Sequence, residues 1–320
     1  MLAERRRAIL VFVSLGVLYT VWGSTYLAQR VAVSSFPPLQ MMALRFLVAG
    51  GLLFGWLRAR GTPAPTPAQW RAAALSALPL LVTGMGAAAV GIKRVPSGLA
   101  ALMFGSVPLW TSLVDRLWGG QLRRAEVLGL FAGFAGVALV SLRGGLSGDP
   151  AGALILLGAA ASYSLGAVAT RRLPLSPGIQ GTASQMLAGG AMLMGLSLAA
   201  GERFSTPTPR AAFALGYVTV LGSLVAYVAF GYLLRTVRPA LATSYAFVNP
   251  IVALALGALL AGERVTAVDL LGLLLVLSAV GMVALGSARA PRRAEAADVL
   301  PRLPPQETGE LCSAPISRRR

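Results

Sequence analysis

Several polar side chains interrupt long apolar stretches of this chain, and these are the side chains whose types could do chemistry. Trp22, Ser24, Thr25 and Tyr26 place an indole, two hydroxyls and a phenol on about one helical turn, where Gly23 permits close approach of a neighbour. Because polar groups in apolar surroundings cost free energy unless they find partners, these residues are candidates to bind a ligand. Alternatively, both hydroxyls bond carbonyls of their own helix and both rings lie at the edge of the apolar layer.

Arg45 is a charged residue inside the second apolar stretch. It lies about 9 Å along a helix from the start of that stretch. A cation at that depth either extends its long side chain back to water or faces a water-filled cavity, where it attracts an anionic group such as a carboxylate. Gln185 occupies the equivalent position in the second half of the chain, so one member of this pair is charged and the other is neutral.

Tyr245 and Asn249 are four residues apart and share one face of a helix. Pro250 follows them and leaves the carbonyl of Ala246 without its helical donor, so that water, a side chain or a ligand can bind there. Pro108 is its equivalent in the first half, and a kink that only shapes packing is the alternative for both prolines. The remaining candidates supply aromatic, thioether and amide groups suited to amphipathic ligands, namely Met103, Tyr163, Gln185, Met186 and Tyr227.

The residue types present exclude several kinds of catalysis. The chain contains no His, and its one cysteine, Cys312, lies in a polar tail, so neither a Cys/His metal site nor an intramolecular disulfide can form. Because no HExxH motif or nucleophile elbow is present, we predict no cofactor, no metal and no enzymatic activity. The acids near the apolar stretches lie at their ends, which argues against a dedicated proton relay: Asp115, Glu126, Glu263 and Asp269.

The composition is that of a membrane protein. Hydrophobic residues make up 56% of the 320 residues, charged residues only 12%, and the mean hydropathy is +0.72. The net charge of +17 would suggest nucleic acid in a soluble chain. Here the arginines occupy short segments between apolar runs, where basic residues set the orientation in the bilayer, so we predict no nucleic-acid binding.

Ten apolar runs predict an all-α membrane protein with ten transmembrane helices, because about 20 residues cross about 30 Å of hydrocarbon. Basic residues favour the cytoplasmic side of the membrane. With the N-terminus inside, the cytoplasmic loops and N-terminal segment carry thirteen basic residues and the outer segments carry seven, so both termini are expected in the cytoplasm. Lys93 and Arg94 are a local exception, since they fall in an outer segment. The runs are 8–28, 39–57, 72–92, 97–118, 127–142, 152–170, 179–200, 211–234, 240–261 and 270–285.

The second half of the chain repeats the first. A shift of 142 residues pairs Val95 with Val237, Pro108 with Pro250 and Gly120 with Gly262, and a shift of 140 pairs Gly50 with Gly190. Each unit contains five runs, which is an odd number, so the second unit must enter the membrane from the opposite side. Inverted repeats of this kind place a site on a pseudo-two-fold axis that can open to either side, which predicts transport.

The chain therefore divides into four segments: a cytoplasmic N-terminal tail at 1–7, a first repeat at 8–144, a second repeat at 145–286 and a disordered basic cytoplasmic tail at 287–320. Two glycine patterns, Gly51 with Gly55 and Gly129 with Gly133, are typical of close helix packing, with the face of a homodimer as the alternative.

The residues also carry a family signature. It consists of Trp22-Gly-Ser-Thr-Tyr26, Pro37-Pro38 before Arg45-Phe46, Val95-Pro-Ser-Gly98, Pro239-Ala-Leu-Ala-Thr-Ser-Tyr-Ala-Phe-Val-Asn-Pro250, and Gly262-Glu263. Over residues 8 to 286 the chain resembles the EamA branch of the drug/metabolite transporter superfamily, among its bacterial drug/metabolite exporters. One departure is that the Gly-Glu often found at the end of the fourth crossing is Gly120-Gln121 here.

The resemblance implies ten helices in two inverted units, a bacterial inner-membrane location, and export or exchange of small metabolites by alternating access. The expected partners are a small-molecule substrate and the lipid bilayer. Two other functions stay open at this point: a membrane-embedded scaffold or sensor, and, within transport, a flippase for lipids or sugar carriers.

Overall fold

The computed structural model describes residues 2–119, 124–142, 149–204, 206–237, 241 and 244–288. Helices joined by short turns account for these residues, with no β-strand among them. The helices follow one another as ten segments, which we label α1 to α10. Each apolar run of the sequence overlaps one segment within the described residues.

Six segments are single helices: α2 is Pro38–Ala59, α5 is Arg124–Leu142, α6 is Pro150–Thr170, α7 is Ile179–Ala199, α9 is Tyr245–Ala261 and α10 is Ala267–Ala288. Three others contain a π-helical stretch between α-helical parts: α1 is Leu2–Val17, Leu18–Trp22 and Gly23–Ala32, α3 is Pro67–Ala77, Leu78–Gly86 and Ala87–Ile92, and α8 is Pro209–Tyr217, Val218–Val225 and Ala226–Thr236. A turn interrupts α4 between Ser97–Phe104 and Val107–Leu117.

The structure extends two of the predicted boundaries. The helix α1 begins at Leu2, so residues 2–7, predicted as a tail, continue the first helix. The helix α10 continues to Ala288. Residues 289–320, which make up most of the predicted basic tail, lie outside the described residues.

Two equivalent helices of the two halves begin with the same N-cap, a threonine followed by proline. The hydroxyl of Thr66 accepts a hydrogen bond from the Gln69 amide at the start of α3, and the hydroxyl of Thr208 accepts one from the Ala211 amide at the start of α8. Proline follows each threonine and has no N–H to leave unsatisfied. The internal repeat thus specifies the starts of both helices.

The outer surface of the helices is apolar. Phe12, Phe131, Phe213 and Leu259 are each at least 74% exposed. Within the described residues, six helices are long and apolar enough to cross a membrane: Glu4–Ala32, Pro38–Ala59, Pro67–Ile92, Ser97–Leu117, Pro150–Thr170 and Pro209–Leu233. Hydrocarbon accommodates such a surface and water does not, so the chain is a helical membrane protein.

The helices α2 and α7 pack against each other through glycine. A methyl group added to Gly50 would lie 3.0 Å from the backbone nitrogen of Leu187, and one added to Gly190 would lie 3.0 Å from the backbone nitrogen of Leu47. As the contact moves forward along one helix it moves backward along the other, so the two helices run antiparallel. Each contact is also the repeat equivalent of the other.

The pair α5 and α10 shows the same arrangement. A methyl group on Gly133 would lie 3.0 Å from the Ala279 methyl, and one on Gly136 would lie 3.4 Å from the Val276 side chain. The remaining packing also repeats between the halves, since α1 packs on α8 and α9 while α6 packs on α3 and α4. One expectation is wrong: Gly51 and Gly55 have no other atom within 4 Å of an added methyl group, so the glycine of α2 that mediates internal packing is Gly50.

Candidate functional site

Arg45 lies in the interior of the molecule, where α2 faces α8. Its side chain is 4% exposed, and its Nε donates a 2.8 Å hydrogen bond to the Ser223 hydroxyl in the π-helical stretch of α8. The guanidinium carbon stands 5.4 Å from the centroid of the Phe46 ring. The side chain therefore faces inward, and the alternative in which it extends back to water does not describe this structure.

Aromatic rings from α1, α8 and α9 form one cluster beside Arg45. Trp22 meets Tyr245 with ring centroids 4.6 Å apart and Tyr227 at 5.6 Å, both edge to face. A second row runs from Tyr26 to Phe104 at 6.3 Å and from Phe104 to Tyr163 at 6.1 Å. Edge-to-face pairs at these separations are favourable beyond the area they bury, so the rings hold one another in place.

Four tyrosines bring their phenols into the same region. Tyr163 lies near Tyr26, Tyr227, Tyr245 and Arg45. None of these four hydroxyls has a hydrogen-bond partner among the described residues, and all four side chains keep part of their surface accessible although they lie deep in the protein. Polar groups that stay accessible in the interior are typical of the lining of a cavity. We call the four tyrosines and Arg45 the central cavity cluster.

In the Trp22–Tyr26 segment of α1, the hydroxyls bond within their own helix and the rings contact other helices. The hydroxyls of Ser24 and Thr25 donate to the carbonyls of Val21 and Trp22 in their own helix, as the alternative interpretation expected. The rings of Trp22 and Tyr26 pack against other helices: Tyr26 meets Phe104, and the Trp22 indole donates a 3.0 Å hydrogen bond to the Gly222 carbonyl of α8. Trp22 therefore ties α1 to α8 beside the cavity.

The glycine of this group has the predicted role. A methyl group on Gly23 would lie 2.6 Å from the Val252 side chain and 3.5 Å from the Cα of Asn249. Any side chain at this position would separate α1 from α9. The glycine thus places the Trp22 ring beside Tyr245.

Asn249 is 7% exposed on α9, and its Oδ1 accepts no hydrogen bond from the described residues. Pro250 lies inside an otherwise continuous helix, whereas Pro108 follows a turn at Gly105 and Ser106 that interrupts α4. The two prolines are therefore equivalent in sequence but differ in their local structure.

Three candidates lie away from the central cavity cluster. The Gln185 amide donates to the hydroxyls of Ser76 at 2.8 Å and Thr170 at 3.0 Å, so it joins α7 to α3 and α6. Met103 and Met186 are at most 1% exposed in the hydrophobic core, and Met186 packs on Gly50. Helical periodicity alone did not reveal which way these side chains turn.

Two carboxylates close one end of the helix bundle, and we call these two residues with their partners the acidic clamp. Glu263, after α9, accepts hydrogen bonds from the Ser97 amide and hydroxyl at 2.8 Å each and from the Gly98 amide at 3.1 Å, all at the start of α4. Arg30, at the end of α1, pairs with the same carboxylate. A carboxylate at a helix N-terminus is stabilised by the helix dipole and the free amides.

The second carboxylate of the acidic clamp is Glu202, between α7 and α8. It accepts hydrogen bonds from the Leu39 and Gln40 amides at the start of α2 and from the Ser197 hydroxyl. The repeat equivalents of Glu202 and Glu263 are neutral, Thr62 and Gln121. Sequence reasoning missed Glu202, Arg30 and Ser97. The replacement of an acid by a neutral residue between the halves was the signal available for Glu202.

Metal coordination finds no support in the part of the chain that is described. There, no three His, Cys, Asp or Glu side chains come together. The site can instead offer hydrogen bonds from phenols, one guanidinium, an amide oxygen and aromatic surface.

The chain is similar to known membrane transporters. The model of the EamA-like transporter family matches twice, at residues 8–142 and 150–285, as expected for a duplicated chain. The inner membrane transporter YedA of Escherichia coli K12, whose own description calls it uncharacterized, is 41% identical over 297 residues, covering 92% of this chain and 97% of the relative. A probable terminal-alkyne amino-acid exporter of Streptantibioticus cattleyicolor is 26% identical, covering 76% of this chain and 82% of that protein.

A protein of known crystal structure superposes with a TM-score of 0.60 at 21% identity, covering 87% of this chain and 98% of that one. At this identity the likeness concerns the fold alone. The two family matches and the relative at 41% identity agree with one another. The chain belongs to the EamA-like transporter family.

Proposed function

We propose that this protein carries small metabolites or drugs across the bacterial inner membrane by alternating access at the central cavity cluster. In this proposal the ten segments all cross the membrane, as two inverted units of five, and both termini lie in the cytoplasm. The direction is export or exchange. The acidic clamp then lies at the outer, periplasmic end.

The observation that carries the proposal is the reciprocal packing of equivalent helices. Gly50 with Leu187 and Gly190 with Leu47 are the same contact seen from the two halves, and α2 and α7 run antiparallel. Two copies of one unit that meet in this way are related by a two-fold axis perpendicular to the helices. A cavity on such an axis can be exposed to either side by equal and opposite movements of the two units.

A carrier needs a contact that closes its cavity on one side and can break to open it. The acidic clamp holds the ends of α1, α2 and α4 against the loops that follow α7 and α9, so it closes the outer end in this proposal. Opening that end requires the Arg30–Glu263 pair and the bonds to the start of α4 to separate. A scaffold or sensor has no need of unpaired polar groups around an interior cavity, which favours transport.

The names of relatives agree with this proposal at the level of transport. The relatives from E. coli and Bacillus subtilis are named as transporters, and the S. cattleyicolor relative as a probable amino-acid exporter. From these names we propose for this chain only that it exports a small solute.

Single cysteines test the inversion. Ala64, between α2 and α3, and Arg203, between α7 and α8, are exposed and lie close to equivalent positions of the two units. In a chain with Cys312→Ser, a membrane-impermeant maleimide added to intact spheroplasts should label Arg203→Cys and leave Ala64→Cys unlabelled until the membrane is opened. Labelling of both residues from one side would refute the inverted arrangement.

Transport itself is tested by comparing the external metabolites of cells with and without the protein, followed by flux into proteoliposomes. A solute that accumulates outside producing cells, and that loses this accumulation in Tyr245→Ala, supports export. Normal insertion of the variant, shown by the maleimide pattern above, is the control. No difference for any solute would favour the scaffold.

A further inference from the structure

We propose that Arg45 binds the carboxylate, or an equivalent anionic group, of a solute whose net charge is −1, and that the tyrosine rings hold the apolar or aromatic body of that solute. The inference rests on the proposed transport function and names the substrate class of the same cavity.

The guanidinium of Arg45 has unused donors. Only its Nε is bonded, to the Ser223 hydroxyl at 2.8 Å. Its Nη1 is buried and has no partner among the described residues, and Nη2 has none there either. Two adjacent N–H groups of a guanidinium match the two oxygens of a carboxylate, so the free edge of Arg45 has the geometry of a carboxylate receptor.

The protein supplies no counter-ion for this charge among the side chains that the structure describes. The acids that could do so are engaged elsewhere: Glu202 and Glu263 in the acidic clamp, Asp149 with Arg94, Asp115 with Arg172, and Asp269 with Thr266. Two phenols lie near Arg45, those of Tyr227 and Tyr163, and neither carries a negative charge when protonated. A bound anion therefore provides the first negative charge in contact with the guanidinium.

The net charge of the solute follows from the charged and neutral side chains around the cavity. A zwitterion would neutralise Arg45 with its carboxylate but bring an ammonium group into a cavity where no described carboxylate can receive it. The unpaired Oδ1 of Asn249 and the four phenols are neutral and suit hydroxyl or amide donors. A net monoanion is the solute that leaves the filled cavity electrically neutral, which is the least costly charge state in a low dielectric.

The structure also limits the number of anion sites. The repeat equivalent of Arg45 is Gln185, and its amide nitrogen already bonds Ser76 and Thr170. The position equivalent to Arg45 therefore supplies neither a charge nor a free amide donor to an anion. One anion binds per molecule, in the half of the cavity nearer to α8.

Matched pairs of solutes test the charge requirement without any substitution. The purified protein would be heated with monocarboxylates of increasing size, from butyrate through phenylacetate to indole-3-acetate, each beside its own uncharged amide. A ligand that binds only the folded state raises the unfolding temperature. We expect at least one acid to do so more than its amide. If no acid exceeds its amide, the inference is wrong.

A second comparison separates net charge from the mere presence of a carboxylate. Phenylacetate and phenylalanine share a ring and a carboxylate, but phenylalanine adds an ammonium group. We expect phenylacetate to stabilise the protein and to exchange across proteoliposomes faster than phenylalanine. Exchange of phenylalanine without phenylacetate would overturn the monoanion inference and leave the transport proposal standing, whereas labelling of both cysteines from one side would overturn transport by inverted repeats.

Substitution then assigns the effect to Arg45. Arg45→Gln should weaken binding of the preferred acid about 10- to 100-fold, the range expected for loss of a hydrogen bond to a charged group, while Arg45→Lys keeps part of it. Arg94→Gln removes an arginine that is half exposed and paired with Asp149, and should leave binding unchanged. Equal binding by the parent protein and Arg45→Gln would contradict the proposal.

Discussion

At the scale of residues, Arg45 is the one buried cation among the residues that the structure describes. Arg45 is 4% exposed, bonds one hydroxyl and has no acidic partner among the described side chains. Burying a charge without a counter-ion costs several kcal/mol of folding free energy, which the other contacts of the folded protein must offset. A residue kept under such a penalty is expected to serve binding at the expense of stability.

The first prediction follows from this penalty. Arg45→Met replaces the charge with an apolar side chain of similar length, so the variant should be more stable than the parent by about 1–4 kcal/mol, while transport is lost. Reversible unfolding in mixed detergent micelles measures the first effect and proteoliposome flux the second. Arg71→Met, at an exposed position, should change the stability by less than about 0.5 kcal/mol. A destabilised Arg45→Met protein would show that Arg45 has a structural partner.

Trp22 gives a second prediction at this scale. Trp22→Phe keeps an aromatic ring against Tyr227 and Tyr245 but removes the indole N–H that bonds the Gly222 carbonyl. The free energy of unfolding should fall by about 1 kcal/mol, because a buried acceptor loses its donor. Trp56→Phe is the control, since Trp56 is 52% exposed. If both variants lose the same stability, the indole bond contributes nothing specific.

At the scale of elements, small residues decide which helix faces meet. In a membrane, lipid is as apolar as leucine, so helices associate through close packing and the hydrophobic effect between them is weak. Gly50 and Gly190 let α2 and α7 approach until backbone atoms are in contact. The π-helical stretches of α3 and α8 lie at equivalent positions and, in α8, include Ser223, which bonds Arg45.

Neighbouring glycines of α2 supply a matched test. Gly50→Ala places a methyl group 2.9 Å from the Met186 side chain and should cost about 1–3 kcal/mol through overpacking. Gly51→Ala meets nothing within 4 Å and should be neutral or stabilising by up to about 1 kcal/mol, because alanine is the better helix former. Unfolding of both variants in mixed micelles gives the comparison. Equal effects would mean that α2 and α7 are not in close contact.

At the scale of the whole molecule, the two ends of the bundle differ in the number and exposure of the polar contacts that hold them. The acidic clamp uses two carboxylates, one of them paired with Arg30. Toward the start of α1, Tyr19 shares a 2.6 Å hydrogen bond with Ser244, and Arg7 donates to the Thr236 carbonyl. Charge-assisted hydrogen bonds are about twice as strong as neutral ones. Each clamp carboxylate accepts at least three of them, whereas the other end has the exposed Arg7 bond and the half-exposed Arg172–Asp115 pair, so the clamp end should be the harder one to open.

The clamp leads to the fourth prediction. Glu263→Gln keeps the shape of the side chain but removes the charge that attracts Arg30 and the amides of Ser97 and Gly98. In a chain with Cys312→Ser and Phe104→Cys, an impermeant maleimide added from the clamp side should label the cavity about tenfold faster in this variant. Asp115→Asn breaks a half-exposed pair with Arg172 and should not alter the rate. An unchanged rate in Glu263→Gln would show that the clamp does not limit access.

The class, the helices and the duplication could all be predicted from the sequence. Apolar runs of about 20 residues are local features, and in hydrocarbon the backbone must satisfy its own hydrogen bonds, so each run becomes a helix wherever it lies. The spacing of Trp22, Arg45 and Tyr245 relative to these runs placed polar groups in the interior. The family signature rested on such local patterns, and the comparisons confirmed it.

Only the tertiary structure decided which side chains share a cavity. Met186 and Gln185 were as plausible as Tyr163 by position, yet one packs on Gly50 and the other bonds Ser76 and Thr170. Glu263 meets Arg30 and Ser97 although more than 160 residues separate it from either of them. The physical reason is that the rotation of a helix about its own axis is set by the neighbours that pack on it. Apolar composition makes a segment helical and buries it in the bilayer, but it leaves that rotation open until the other helices are in place.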